Sequence, residues 1–128
     1  MENQACDSHT EGHLMTDCLF CKIVQKMIPA KIVYEDDRTM AFDDINPQAP
    51  IHTLIIPKTH LPAVKDCQDQ DSQLLAHLLI TCTNVAKQKG LTESGYRIVT
   101  NTGPDAGQTV FHLHFHVLGG RHLSWPPG

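Results

Sequence analysis

Apolar positions first take a helical spacing between Cys18 and Met27, where Leu19, Phe20, Ile23, Val24 and Met27 share one face. Asp17 is suited to cap this short helix, and Ile28-Pro29 to end it, because the residue before proline avoids helical dihedrals. The spacing then becomes that of strands. Lys31–Glu35 and Thr39–Phe42 flank the turn Asp36-Asp37-Arg38 and predict a hairpin. A loop over Asp43–Pro50 precedes a β-branched strand, His52–Pro57. The long helix is predicted over Asp69–Lys89, with Leu74, Leu75, Leu78, Cys82, Val85 and Ala86 as its buried stripe and Gly90 as its cap. Two further strands, Tyr96–Thr100 and Thr109–Leu118, surround the turn-rich loop Asn101–Gln108. Neighbouring strands, rather than alternating strand–helix units, predict an α+β fold: an antiparallel five-stranded sheet with one long and one short helix.

A length of 128 residues fits one domain, which at this size buries roughly two-thirds of its unfolded surface without disulfide staples. Residues 1–14 are polar and aperiodic and are expected to form a flexible arm, leaving the folded domain over 15–128. The net charge of −4 offers no basic field for nucleic acid. No run approaches the roughly 20 apolar residues of a membrane span, so no membrane partner is expected. Five cysteines, an odd number, and no apolar leader predict reduced thiols and a cytoplasmic location.

Histidine changes this bland picture. There are nine, and three of them stand at 112, 114 and 116. On a strand these point one way, while Val110, Leu113, Phe115 and Val117 point into the core. Such a row spans roughly 13 Å, the length of a phosphate with its leaving group. Imidazoles so placed can attack phosphorus, hold its oxygens and protonate a departing amine. Gly103, Gly107 and Gln108 lie just ahead in a turn that suits close approach of backbone N–H groups to phosphate. Two other classes fit the same residues. Alternating histidines together with Cys18-x-x-Cys21 also suit a zinc-binding protein, and a nucleotide-holding interaction module needs no turnover at all.

The run His112-Leu-His114-Phe-His116-Val-Leu resembles the signature of the histidine-triad (HIT) superfamily and, within it, the histidine triad nucleotide-binding (Hint) branch. Ile28-Pro-Ala-Lys, Glu35-Asp-Asp-Arg, Ala41-Phe-Asp-Asp-Ile-Asn-Pro-Gln-Ala-Pro, Ile55-Ile-Pro-Lys, Gly107-Gln, Leu118-Gly-Gly-Arg and Trp125-Pro-Pro-Gly extend the likeness from about Asp17 to Gly128. The resemblance implies a HIT-like homodimer that hydrolyses purine nucleoside phosphoramidates, such as those of AMP or GMP, through a nucleotidyl-histidine. It makes His114 the nucleophile and His116 its partner at the phosphate and leaving group, with His112 and His52 completing the polar cluster. Asn101, Gly107, Gln108 and Thr109 would line the phosphate, and Asp44 would accept the ribose hydroxyls. Leu19, Phe20, Ile23, Phe42 and Ile45 would sandwich the base, and Trp125 would lie near the partner subunit's site. Thr109 stands where serine is frequent, keeping the hydroxyl with an added methyl. No cofactor is implied for the chemistry. In zinc-containing relatives Cys18, Cys21, His60 and His112 would hold a closed, structural Zn²⁺.

Overall fold

The computed structural model describes Gln4–Ala5 and residues 17–128. The arm expected over 1–14 therefore lies outside the described residues, except that Gln4–Ala5 pair antiparallel with Thr59–His60. The sheet contains β1 (Ile32–Glu35), β2 (Thr39–Asp43), β3 (Ile51–Pro57), β4 (Tyr96–Val99) and β5 (Phe115–Gly119). Its strand order is β1-β2-β3-β5-β4, antiparallel throughout. Two helices, α1 (Leu19–Val24) and α2 (Ser72–Gln88), cover opposite faces. On one face Leu78, Cys82, Val85 and Ala86 of α2 pack on Ala41, Ile55, Phe115 and Val117. On the other, Phe20 and Ile23 of α1 pack on Met40, Phe42, Leu54 and Ile56. The alternation of β2 and β3 thus feeds both cores, as period-2 geometry requires. Among the described residues, no helix is long and apolar enough to cross a membrane.

Three expected boundaries are corrected. The cap of α1 is Cys18, not Asp17: its Sγ accepts from the Cys21 N–H at 3.2 Å. The helix stops at Val24, well before Pro29, because Lys26 turns into the left-handed region at φ 64°. The last strand begins at Phe115 rather than Thr109. Residues 109–114 leave the ladder because their groups bond elsewhere. The Leu113 N–H goes to the Leu61 carbonyl, Val110 O accepts from the Gln108 side chain, and His114 O accepts from Thr100 Oγ1. The hairpin turn is also more than a turn. Asp36 Oδ1 accepts from the Arg38 and Thr39 N–H groups and from Thr39 Oγ1, while Oδ2 faces Tyr34 Oη at 2.6 Å and His77 Nε2 of α2 at 2.8 Å. Burial alone raises its pKa, but these bonds outweigh burial and hold it well below the usual carboxylate range.

Candidate active site and metal centre

A cavity of about 380 Å³ opens between α1, the hairpin and the start of β5. Leu19, Phe20, Ile23, Phe42 and Ile45 contribute apolar lining, while Asp44, His52, Thr109, His114 and His116 contribute polar lining. Sequence reasoning missed Ile28, Pro29, Ala30 and Val110, which extend the apolar wall. The sequence reads Ile28-Pro-Ala as a helix stop and as part of the family likeness, and Val110 as a core-facing residue of the last strand. Leu19 and Ile45 stand at the mouth, 45% and 97% exposed.

Four expected residues do not line this cavity: Asn101, Gly107, Gln108 and Trp125. Gln108 is a buried brace, its Oε1 accepting from the Gly103 N–H and its Nε2 donating to the Pro62 and Val110 carbonyls. Gly107 supplies the left-handed turn (φ 82°) that brings the brace home. Trp125 is 81% exposed on the tail.

The histidines expected in one row divide into two sets. His114 and His116 face the cavity with ring centroids 5.0 Å apart, while His112 turns away into a second cluster. Their backbone partners fix which nitrogen carries the proton. His114 Nδ1 lies 2.7 Å from the His112 carbonyl, so Nδ1–H donates and Nε2 keeps its lone pair. His52 is the reverse: its Nδ1 accepts from the Gln48 N–H at 3.0 Å, so the proton sits on Nε2. That Nε2 lies 2.8 Å from His116 Nδ1 and 3.5 Å from Asp44 Oδ2, both of which can accept. His116 then carries its own proton on Nε2, an atom that is buried with no hydrogen-bond partner among the described residues. All three rings are held neutral. Burial lowers His114 and His52, and burial together with the neighbouring His114 and His52 brings His116 down to about 4.

The second cluster joins Cys18, Cys21, His60 and His112. Cys18 Sγ and Cys21 Sγ lie 3.3 and 3.6 Å from His112 Nδ1, Cys21 Sγ lies 3.3 Å from His60 Nδ1, and the two Nδ1 atoms are 3.2 Å apart. A tetrahedral zinc with ordinary Zn–S and Zn–N bonds sets its ligands about 3.6 Å (S to N) and about 3.3 Å (N to N) apart. The four separations above lie within about 0.3 Å of those edges. His112 is also oriented as a ligand must be, because its Nε2–H donates to the Pro57 carbonyl at 2.8 Å and turns the Nδ1 lone pair inward. Asp44, His52 and His116 form another group of donor atoms close enough for an ion. They do not fit one, since His52 Nε2 carries a proton and its 2.8 Å spacing to His116 Nδ1 is that of a hydrogen bond.

Residues 25–123 match the model of the HIT domain family. Among curated proteins, the chain is 55% identical over 112 residues to an uncharacterized HIT-like protein of Synechococcus elongatus, covering 88% of this chain and 97% of that one. A second uncharacterized HIT-like protein, from Synechocystis, is 53% identical over the same shares. Among solved structures, a HIT family hydrolase from Legionella pneumophila superposes with a TM-score of 0.85 at 54% identity, covering 87% of this chain and 99% of that one. A histidine triad protein from Clostridium difficile gives 0.82 at 44% identity, with 84% and 94% covered. With a family model spanning 99 of its 128 residues and relatives above half identity along almost their whole length, this chain is a member of the HIT domain family.

Proposed function

We propose that the protein is a purine nucleoside phosphoramidase of the Hint branch. The observation that carries this reading is His114: its Nδ1–H is tied to a carbonyl of its own segment, which leaves Nε2 unprotonated, and its ring lines a cavity of mixed polar and apolar walls. In the first step the Nε2 lone pair forms a bond to the α-phosphorus and the P–N bond of the substrate breaks. The nitrogen leaves with the bonding pair and takes a proton from water at the open mouth. The His112 carbonyl stabilises the positive charge that the substituted imidazole acquires. In the second step water attacks phosphorus, the pair returns to Nε2, and the water's proton passes to solvent. His116 Nε2–H donates to the phosphoryl oxygens in both steps. Asp44 takes the ribose hydroxyls, and the Phe20, Ile23 and Phe42 wall takes the purine.

A zinc held by Cys18, Cys21, His60 and His112 would supply a structural cross-link between α1 and the triad segment, with no step passing through it. The nucleotide chemistry therefore needs no cofactor. A homodimer is part of the same reading, supported by Trp125 and by the open apolar side chains of Leu79 and Ile80 on α2. So is a cytoplasmic location, where the thiols stay reduced. Steady-state hydrolysis of adenosine 5′-phosphoramidate tests the proposal. Turnover is expected in the intact protein and should fall about 10³-fold or more in His114→Ala. An intact protein that binds AMP without turning over the phosphoramidate would leave only a nucleotide-binding module.

A further inference from the structure

The proton order just described begins at an atom outside any side chain. Gln48 lies on the exposed loop between β2 and β3, and its main-chain N–H points at His52 Nδ1. The same residue's carbonyl accepts from Arg121 Nη2 at 3.0 Å, which ties the loop to the segment after β5. Gln48 Nε2 donates to the Asn46 carbonyl, and the Asn46 N–H to Asp44 Oδ1, so the loop is braced internally up to the carboxylate proposed for the ribose.

We infer that the Gln48 N–H sets the polarity of the His52–His116 pair, and that Arg121 is a positioning residue which holds that N–H in place. The kinetic part rests on the hydrolase reading above; the tautomer part does not. A backbone amide cannot accept, so His52 Nδ1 is an acceptor and its Nε2 a donor. His116 Nδ1 must then accept, and its only proton stands on Nε2, facing the reacting phosphate. Every link points the same way, from Gln48 to His52 to His116 to a phosphoryl oxygen, and links in such a chain polarise one another. The chain delivers a hydrogen bond, not a proton. If His116 surrendered its Nε2 proton and drew another from His52, His52 would be left anionic against nothing but an N–H donor. His116 is thus a fixed donor to the phosphoryl group, consistent with its low pKa.

The test begins with ¹⁵N NMR of the imidazoles at pH 7 in the intact protein, where both His52 and His116 should be protonated on Nε2 and bare on Nδ1. Replacing glutamine 48 by its α-hydroxy analogue turns the Pro47–Gln48 amide into an ester and deletes this one donor. His52 should then populate the Nδ1–H form, and kcat for the phosphoramidate should fall about tenfold with KM within twofold. Gln48→Ala keeps the N–H and should keep the tautomer. Arg121→Met should show the same signature at about threefold in kcat, with partial rescue by Arg121→Lys, which restores a donor. If the ester-containing chain fails to fold, as judged by its amide spectrum, the Arg121 pair decides. A His52 protonated on Nδ1 in the intact protein, or no change of tautomer and kcat in the ester and Arg121→Met variants, overturns the inference. An intact protein with the expected tautomers but no turnover would refute the hydrolase reading and leave the proton order standing.

Discussion

Two histidine clusters stand on either side of the segment 112–116, built from similar donors at similar spacing. One joins Cys18, Cys21, His60 and His112; the other joins Asp44, His52 and His116. What separates them is the backbone group each key ring meets. His112 meets a carbonyl, that of Pro57, which takes the Nε2 proton and presents a bare Nδ1 to the sulfurs. His52 meets an N–H, that of Gln48, which takes the Nδ1 lone pair and leaves a proton on the nitrogen facing its neighbours. A carbonyl makes a ligand; an amide makes a donor. Residue type and proximity alone assign both clusters to metal, and main-chain hydrogen bonding divides them.

The comparison breaks most visibly at Cys21. Its thiol is fully buried, so Cys21→Ser is expected to abolish metal binding and to lower stability by about 3 kcal/mol or more, since the binding free energy of a structural zinc is folding free energy. Metal analysis of the purified protein and denaturant titration would read both, with about one zinc per chain in the parent. His116→Ala is the complementary break. It should lower phosphoramidate turnover about 10²-fold, close to 2.7 kcal/mol of transition-state stabilisation, and leave the metal content as it was. Loss of zinc in His116→Ala, or retention of zinc in Cys21→Ser, would mean that the two clusters have been divided wrongly.

Much of this arrangement was legible in the residues. The β-branched runs gave the strands, and the leucine stripe gave α2. The alternation gave Leu113, Phe115 and Val117 as core and His114 and His116 as site, but it put His112 in the same row, where the structure turns it to the cysteines. The family likeness identified Cys18, Cys21, His60 and His112 as one set before any distance was known. Other features depend on partners far along the chain and leave no local mark. Residues 109–114 look like a strand by alternation, yet Leu113 bonds to Leu61 and His112 to Pro57, so the ladder starts only at Phe115. The family likeness puts Gln108 at the phosphate, and no local signal shows that its side-chain amide bonds to Gly103, Pro62 and Val110. The tautomers were out of reach for the same reason, as His112 takes its orientation from a carbonyl 55 positions away.

Helix α1 joins the two clusters and gives the smallest and most discriminating expectation. With its cap it carries the thiols proposed for the metal, Cys18 and Cys21, and between them Phe20, whose ring meets His112 at 5.9 Å, His114 at 5.1 Å and Phe42 at 5.5 Å between centroids, edge-on in each case. Edge-to-face pairs contribute roughly 0.5–1.5 kcal/mol beyond their burial. The metal would therefore influence the substrate by steadying the wall that Phe20 forms, not by touching phosphorus. Stripping the metal with a chelator should raise KM for the nucleotide about fivefold, near 1 kcal/mol, with kcat within twofold. Phe20→Leu should raise KM by a similar factor with the metal still bound, because Leu keeps the bulk but loses the ring edge. If the two effects share one route, stripping the Phe20→Leu protein should cost only about twofold more, a non-additivity that a double-mutant cycle reads directly. Full additivity would mean that the metal steadies the pocket by a path other than Phe20. A collapse of kcat on stripping, with KM unchanged, would mean that the metal cluster reaches the reacting centre itself, and the division between ligand and donor histidines would have to be redrawn at His112.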